Sequence, residues 1–352
     1  VYAGLIEEGV AMEMIDLGGG LAVDYDGSNT NSDASCNYSL DEYCRDLVEI
    51  VKAVSEEAEI EHPIIITESG RATVAYYSVL LFNILDVSKF VASDKSPEIP
   101  VDAHETTRYI AETADSLRTR NLQESFHDTI YYRDEIRDLF RLGQVSIRER
   151  ALVENIFWNT MHQIRDLVSE ERHPPRDLEG LNAALADIYY GNVSVFQSLP
   201  DAWAIDQLFP IMPIHRLKEA PTRDAIVADI TCDCDGKIDR FIDRQGVRRS
   251  LLLHELKENE EYVLGAFLIG AYQETLGDLH NLFGDTHVVS VRLDAEGEPH
   301  YSREIEGDSV GDVLEIVEYD TKLILEKFRG KAENAVKNKS ITAPERKKIL
   351  AY

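Results

Sequence analysis

AMEMIDLGGGL occupies residues 11–21 and joins a short apolar segment to three consecutive glycines. Residues 11–16 predict a strand, and Gly18, Gly19 and Gly20 predict a tight turn directly after it. Such glycines let the backbone approach a ligand closely and aim successive N–H groups at an anion. A plain strand-to-helix turn is the alternative interpretation. The stretch lacks the G-x-x-x-x-G-K-[ST] pattern, so it does not indicate a nucleoside triphosphate site.

The segment that follows predicts a helix and a second strand. Ser39 and Glu42 form an S-x-x-E capping box, and apolar residues keep helical spacing over 40–54. Pro63 is expected to stop that helix, and the β-branched run at 64–67 predicts a strand buried on both faces. Strand, glycine turn, helix and strand in this order form a βαβ unit of a parallel sheet or barrel.

The rest of the chain alternates between β-rich and helical patterns. Alternating Val, Tyr, Leu and Phe over 72–92 predict antiparallel strands. Apolar residues at helical spacing over 101–173, a stretch without proline, predict a module of several helices. The pattern over 310–352 is again helical. Between these two helical parts the β pattern returns, and its clearest strands are 225–230, 262–269 and 287–293.

Composition and charge limit the possible functions. The 352 residues include 36 Lys+Arg and 65 Asp+Glu, which gives a formal net charge of −29. Such a field repels phosphate backbones and anionic lipid, so it argues against nucleic-acid and membrane partners and favours a cationic substrate. No apolar run approaches the roughly 20 residues that span a bilayer. Four cysteines are too few for a secreted disulfide framework, so we expect a cytoplasmic protein.

A second candidate motif is Glu68-Ser69-Gly70-Arg71, at the end of the next predicted strand. In βα architectures, ligands bind at the carboxyl ends of strands. A carboxylate and a guanidinium three residues apart at such an end can hold a heterocyclic nitrogen and a phosphate, respectively. A local surface ion pair is the alternative interpretation.

A third candidate is CDCDGKID at residues 232–239. Zinc sites need about four ligands, and this C-x-C has no second Cys/His pair at a suitable spacing, so zinc is not indicated. A thiol beside carboxylates on a loop fits a general acid or a substrate-contacting group. A turn built from Asp and Gly is the alternative interpretation.

The fourth candidate is GAYQ at residues 270–273. Small residues before Tyr272 can place its hydroxyl on a phosphate, although a tyrosine after a strand is also common as a core or rim residue. His280, a few residues later, is interpreted as structural rather than catalytic.

Taken together and in order, GGGL, ESGR, CDGKID and GAYQ resemble the fold-type III pyridoxal-phosphate decarboxylases, which include ornithine, diaminopimelate and biosynthetic arginine decarboxylases. Longer segments are similar to the arginine branch in particular. They are MIDLGGGLAVDYDGS (14–28), TESGRATVAYYSVL (67–80), FQSLPDAWAIDQLFPIMPIHRL (196–217) and GAYQETLGDLHNLFGDTH (270–287). One departure is Ser69, which stands where the family often has proline.

The resemblance implies that the cofactor is pyridoxal 5′-phosphate. It assigns Glu68 to the pyridine nitrogen, where a carboxylate keeps the ring protonated and makes it a strong electron sink. A magnesium requirement is also implied, but no ligand motif for it is visible, so the metal-binding residues are unknown. The residues that the resemblance assigns to the cofactor phosphate are Gly18, Gly19, Gly20, Gly70, Arg71 and Tyr272.

The resemblance also assigns residues to the substrate. Cys234 is expected to protonate the carbanion left by loss of CO₂, and Asp235 to contact the distal cation of the substrate. In the family both act on the partner's cofactor, so we expect a homo-oligomer, a dimer or dimer-based tetramer, with its active site across the interface. Asp201 and Asp206 are further candidates for guanidinium contacts, because a carboxylate suits planar bidentate recognition. The segment Ile15 to Tyr25 is assigned to substrate binding as well.

The implied reaction converts L-arginine to agmatine and CO₂ and feeds polyamine synthesis. A decarboxylase of another basic amino acid, of the diaminopimelate or carboxynorspermidine type, is one alternative. A non-catalytic regulatory homologue that dimerises with an active enzyme is another, but the retention of Glu68, Arg71, Cys234 and Asp235 argues against it.

The expected fold combines α/β and β parts: the C-terminal part of a (β/α)₈ barrel, a helical-bundle insertion, a β-sandwich or barrel domain, and C-terminal helices. The family's aldimine lysine lies on an early barrel strand, whereas the lysines here begin at Lys52. We therefore expect a C-terminal portion of a longer enzyme, inactive alone. The expected divisions are 1–72 for the barrel, 97–185 for the helical insertion, 73–96 with 186–309 for the β domain, and 310–352 for the C-terminal helices.

Overall fold

The computed structural model describes residues 1–32, 34–89, 98–169, 178, 181–243 and 246–351. The helices in these residues are α1 (Tyr2–Glu7), α2 (Leu40–Glu57), α3 (Gly70–Val74), α4 (Glu105–Asp115), α5 (Leu122–Arg141), α6 (Ile147–Ser169), α7 (Leu181–Ala184), α8 (Val195–Ser198), α9 (Pro200–Ala204), α10 (Val310–Ile316), α11 (Thr321–Lys337) and α12 (Ala343–Leu350). The strands are β1 (Met14–Asp16), β2 (Ile64–Ile66), β3 (Val79–Ser88), β4 (Asp187–Gly191), β5 (Ile211–Pro213), β6 (Arg223–Ala228), β7 (Lys237–Ile238), β8 (Phe241–Asp243), β9 (Gly246–Arg248), β10 (Leu251–Leu253), β11 (Val263–Phe267), β12 (Val288–Leu293) and β13 (Pro299–Ile305).

The first 75 residues contain the predicted βαβ unit. Strands β1 and β2 pair in parallel, with Met14 opposite Ile64, and α2 connects them. The predicted capping box is present: the Ser39 hydroxyl accepts the backbone N–H of Glu42 at 3.2 Å, and the Glu42 carboxylate accepts that of Ser39 at 2.8 Å. This reciprocal pair satisfies two N–H groups that the helix itself leaves free, and so it fixes where α2 begins.

Two details of this unit differ from the prediction. Helix α2 ends at Glu57, well before Pro63, and Glu59 then takes a left-handed backbone with φ of 53°. Strand β2 is not buried on both faces, because Ile64 and Ile66 are 61% and 39% exposed. In the described part of the chain β2 pairs only with β1, so its apolar side chains lack the flanking strands and layers that bury a strand inside a parallel sheet.

A seven-stranded sheet forms the largest part of the fold. Its strand order is β10-β6-β4-β3-β11-β5, with β7 beside β6. The long strand β3 is antiparallel to both β4 and β11, while β4 and β6 are parallel. Residues 72–92 were expected to form several antiparallel strands, but α3 and a short 3₁₀ turn occupy 70–77 and only β3 follows; residues 90–92 lie outside the described part. The short side chains of Ala72 and Ala75 suit this helical segment, which packs on the sheet core.

The helical part has a separate core. Helices α4, α5 and α6 pack together around Ile110, Ile136 and Ile164, each with no exposed surface, as their spacing in the sequence predicts. The β core instead combines Val23 and Tyr25 with residues of the large sheet. The domain divisions stay predictions, and the one expected at residues 96 and 97 lies outside the described residues.

The last part of the chain is a hairpin followed by helices; the strand near 287–293 and the helices are predicted, whereas the second strand of the hairpin is not. Strands β12 and β13 pair antiparallel, and α10 to α12 follow them. Most side chains of these helices are exposed, with Val313 and Ala332 the buried ones. Among the helices that the structure describes, none has both the length and the apolar character to cross a membrane.

Candidate functional site

The glycine turn and the Glu68–Arg71 motif lie side by side. Because β1 and β2 are parallel, their carboxyl ends meet at one edge, and each motif follows one of these ends. The backbone N–H of Glu68 donates to the carbonyl of Gly18 at 2.8 Å, and that of Leu17 donates to the carbonyl of Ile66 at 2.9 Å. Two segments some 50 residues apart in sequence therefore form one continuous backbone surface.

The backbone of this surface takes conformations that only some residues tolerate. Gly18 and Gly20 have φ of +70° and +101°, a region that side chains disfavour, and the space where a Cβ would lie is open at both. Ser69, just before α3, has φ of 42°, whereas proline is fixed near −65°. The serine that departs from the family pattern is thus compatible with this turn, and a proline is not.

A pocket of about 430 Å³ opens at this edge. Two distant segments complete it, one around residue 201 in α9 and one around residues 272–276. Its lining residues are Gly19, Gly20, Leu21, Ala22, Gly70, Arg71, Asp201, Tyr272 and Leu276. The structure thus brings most of the residues assigned to the cofactor phosphate into one pocket, together with Asp201, a residue predicted only for the substrate.

Arg71 is held on three sides within this pocket. Its Nη1 donates to the hydroxyl of Tyr25 at 3.0 Å, and its Nη2 forms an ion pair with Oδ2 of Asp201 at 3.2 Å. The ring of Tyr272 lies against the guanidinium, with its centroid 4.8 Å from Cζ. Burial alone would lower the pKa of Arg71, but its bonds to Tyr25 and then Asp201 outweigh it and raise that pKa, so the group is a permanent cation.

Asp201 is itself fixed by a buried amide. Gln273 is 1% exposed, and its Nε2 donates to Oδ2 of Asp201 at 2.8 Å and to the carbonyl of Ala271 at 2.9 Å. Its Oε1 accepts the backbone N–H of Asp201 at 3.1 Å. The sequence does not predict Gln273 as a site residue, and it predicts Tyr25 only as the end of a segment assigned to the substrate. No sequence pattern shows that residues 25, 71, 201 and 273 meet.

Two assigned acids have different positions. Glu68 lies at the end of β2 next to the pocket, with its side chain exposed and outside the lining. Asp206 is exposed, has φ of 56° and forms an ion pair with Arg240 at 3.1 Å. Asp206 therefore contacts a guanidinium already, but it does so away from the pocket.

The loop that carries Cys234 and Asp235 is firmly attached at its base. The buried carboxylate of Asp229 accepts the backbone N–H of Val195 at 2.9 Å and both the N–H and the hydroxyl of Thr231. Its own N–H donates to the carbonyl of Gly236 at 2.8 Å.

The tip of this loop is exposed. Cys234 and Asp235 face solvent, and neither lines the pocket of its own chain. Asn281 donates to the sulfur of Cys232 at 2.9 Å, which ties the neighbouring thiol to the segment after Tyr272. The loop is thus a well-supported projection with a thiol and a carboxylate at its surface.

Three family models match separate parts of the chain. Residues 1–75 match the pyridoxal-binding domain of the pyridoxal-dependent decarboxylases. Residues 100–182 match the arginine decarboxylase helical bundle domain, and residues 310–352 match the arginine decarboxylase C-terminal helical extension.

Individual relatives point to the same family as these domain matches. The biosynthetic arginine decarboxylases of Nostoc sp. and Bacteroides thetaiotaomicron are 45% and 44% identical, each over 99% of this chain. Over almost its whole length the chain is similar to biosynthetic arginine decarboxylases. It covers 51% and 56% of those two proteins, so it spans about half the length of the curated relatives it matches.

A solved structure of this family supports the fold. The crystal structure of the biosynthetic arginine decarboxylase from Campylobacter jejuni is 32% identical over 99% of this chain and 56% of that one, with a TM-score of 0.80. The predicted fold class is therefore confirmed: a barrel portion, a helical bundle, a β domain and C-terminal helices.

The site fits the phosphate of the family's pyridoxal cofactor. Glycines with open space beside them, a permanently charged Arg71 and the adjacent Tyr272 form a cradle suited to a dianion. Magnesium fits less well. In the residues that the structure describes, the one group of three potential ligands is Asp233, Cys234 and Asp235, and Mg²⁺ prefers an octahedron of oxygens over a thiolate.

Gly270 is essential to how the GAYQ turn joins the cradle. Its N–H donates to the carbonyl of Ala75 at 3.0 Å, directly after α3. A Cβ at this position would overlap the carbonyl oxygen of Val74 and come within 2.6 Å of the ring of Tyr77. The turn that supplies Tyr272 and Gln273 can therefore approach Arg71 only because residue 270 has no side chain.

We predict that Gly270→Ala destabilises the protein by roughly 1–3 kcal/mol or more, because the added methyl group must displace backbone atoms. Gly330→Ala is the matched control: it lies in α11, where nothing is within 4 Å of an added Cβ, and should gain roughly 0.5–1 kcal/mol. Urea unfolding followed by circular dichroism measures both. If the two variants are equally stable, the backbone around residue 270 moves to accommodate a methyl group at little cost in free energy.

Proposed function

We propose that this protein decarboxylates L-arginine to agmatine and CO₂ with pyridoxal 5′-phosphate, a step that feeds polyamine synthesis. The observation that carries the proposal is the cradle around Arg71, built from the residues that the family resemblance assigns to the cofactor phosphate. The names and domains of the matching relatives support the same reaction. The cytoplasmic location, the oligomeric state and the magnesium requirement stay predictions.

The cofactor would be held at both ends by this chain. Gly19 and Gly20 would offer backbone N–H groups to the phosphate, with Gly70, Arg71 and the hydroxyl of Tyr272 as further contacts. Gly18 would instead shape the turn, because its own N–H donates to Oδ1 of Asp16 at 2.8 Å. Glu68, at the end of β2, would face the pyridine nitrogen and keep it protonated. When bound, pyridoxal phosphate supplies a ring that takes up the electron pair released from the substrate.

Protonation is the step we assign to Cys234. Loss of CO₂ breaks the bond between the carboxylate carbon and Cα, and Cα must then gain one proton. The thiol of Cys234 would donate that proton and recover it from solvent. Because the loop is exposed and lies outside its own pocket, we propose that it acts on the pocket of a second copy in a homodimer or a dimer-based tetramer.

Recognition of the substrate's guanidinium requires an available acid. Asp201 already binds Arg71 and Gln273 in the pocket, and Asp206 already pairs with Arg240 away from it, which leaves Asp235 as the better candidate. Asp235 is favoured because it adjoins Cys234, so one loop would contact both the reacting carbon and the distal cation. Substrate contacts from the segment Ile15 to Tyr25 would come from its backbone near Leu21 and Ala22, which line the pocket.

Substrate profiling tests the proposed reaction. We expect the full-length, cofactor-loaded protein to release agmatine and CO₂ from L-arginine, with kcat/KM at least about 100-fold above that for L-lysine, L-ornithine or meso-diaminopimelate. Chromatography of the amine product gives the measurement. If the protein prefers another amino acid, the proposed substrate is wrong. If it turns over none of the four amino acids, a regulatory homologue is favoured.

The 352-residue chain alone is expected to bind the cofactor without turnover. No lysine lines the pocket in the described part of the chain, so we propose that the lysine that anchors the cofactor covalently comes from outside these residues. Titration should give saturable binding of pyridoxal phosphate, whereas borohydride reduction should leave no adduct at the pocket. Agmatine production by this chain alone would refute the proposal.

Cys234→Ala is expected to lower kcat by at least about 100-fold in the full-length protein, because proton donation is lost. The dissociation constant of pyridoxal phosphate should stay unchanged, since the thiol does not bind the cofactor. Cys44→Ala, which removes an exposed thiol on α2, is the control and should keep both values. If kcat and cofactor affinity fall together, Cys234 supports the cofactor site and not the proton transfer.

A further inference from the structure

A carboxylate inside a phosphate pocket calls for an explanation. Asp201 lines the same pocket as the glycines and Arg71, and it is only 7% exposed. Its charge repels a phosphate dianion at short range in a partly buried site. An acid at this position must therefore contribute something that outweighs this repulsion.

We propose that Asp201, anchored by Gln273, is a positioning residue that orients Arg71 toward the cofactor phosphate. This inference rests on the proposed function, in which Arg71 binds that phosphate. Asp201 then acts through Arg71 and has no contact of its own with the anion.

The hydrogen bonds around Arg71 support this role. A guanidinium has five N–H donors in a rigid plane, and two of them are used here, by Tyr25 and Asp201, so three remain for a ligand. The ring of Tyr272 lies against the guanidinium, with its centroid 4.8 Å from Cζ. With two hydrogen bonds and this ring contact in place, the position of the guanidinium is set before an anion arrives, and less conformational freedom is lost on binding.

The anchor of Asp201 is as well defined as its contact with Arg71. Gln273 reaches both the carboxylate and the backbone N–H of Asp201, and it follows Tyr272 directly in the chain. One turn thus supplies the ring that lies against Arg71 and the amide that fixes its counterion. Both the carboxylate and the backbone of Asp201 are thus held by one side chain.

Charge and positioning predict opposite results for Asp201→Ala. Removing a negative charge near the phosphate strengthens anion binding if charge alone matters. Releasing Arg71 from its fixed orientation weakens binding if Asp201 positions it. The sign of the change in cofactor affinity therefore decides between the two roles.

The test measures the dissociation constants of pyridoxal 5′-phosphate and of pyridoxal, which lacks the phosphate, by fluorescence titration of the 352-residue chain. We expect Asp201→Ala to weaken binding of pyridoxal phosphate by at least about tenfold, and Arg71→Ala by at least as much. Asp201→Asn keeps an oxygen acceptor for Arg71, so its affinity for pyridoxal phosphate should fall only about two- to threefold. Pyridoxal binding should stay unchanged in all three variants.

Two further variants guard against a general loss of structure. Gln273→Met leaves the charge of Asp201 in place but removes its anchor, so it should also weaken binding of pyridoxal phosphate selectively. Glu154→Ala breaks a comparable ion pair with Arg137 in the helical module and should change neither constant. All titrations are run well below the melting temperature of each variant.

The outcomes separate the inference from the proposed function. The positioning role is wrong if Asp201→Ala binds pyridoxal phosphate as tightly as the unchanged protein or more tightly, or if it loses as much affinity for pyridoxal. In either case the phosphate contact assigned to Arg71 still stands. If Arg71→Ala has no effect on the affinity for pyridoxal phosphate, the phosphate assignment itself fails, and the positioning role fails with it.

Discussion

The ion pair between Arg71 and Asp201 is the interaction on which the site depends. It joins the segment after β2 to α9, 130 residues later, and Tyr25 and Gln273 complete the group. The sheet makes this meeting possible. Strand β3 leaves α3 and pairs with β11, with Val79 opposite Phe267, and the pairing continues as backbone bonds from Ile269 to Ser78 and from Gly270 to Ala75. This ladder delivers the turn at 270–273 to Arg71, so strand register sets the site geometry.

The β domain therefore holds the glycine turn in place more firmly than the two parallel strands do. Strands β1 and β2 share only a three-residue ladder, and their side chains are largely exposed. In contrast, Val23 and Tyr25, a few residues after the glycines, are 4% and 5% exposed within the β core. Burial of these two side chains stabilises the fold by roughly 1.5–3 kcal/mol each. The chain beyond the glycines is thus attached to the domain that also carries Asp201 and Tyr272.

The sequence allowed prediction wherever the determining contacts are local. The capping box at Ser39, the helical spacing in α4 to α6 and the position of both motifs at strand ends all depend on neighbours within a few residues. Predictions failed where residues far apart in the sequence determine the burial or the local secondary structure. The exposure of β2 depends on which strands flank it, and the helical turn at 70–77 precedes β3 although its Val and Tyr residues suit a strand. The partner of Asp201 was unpredictable for the same reason, since a carboxylate accepts any nearby guanidinium and its identity depends on the fold.

The two parts of the site differ in how they are built, and this difference bears on the proposed dimer. The pocket around Arg71 is assembled from four distant segments of one chain. The loop with Cys234 is built locally, since Asp229 holds both of its ends and an added Cβ at Gly236 would overlap that carboxylate. The loop is thus held with its tip outside the pocket of its own chain. The proposed proton transfer from Cys234 therefore calls for the pocket of a second copy.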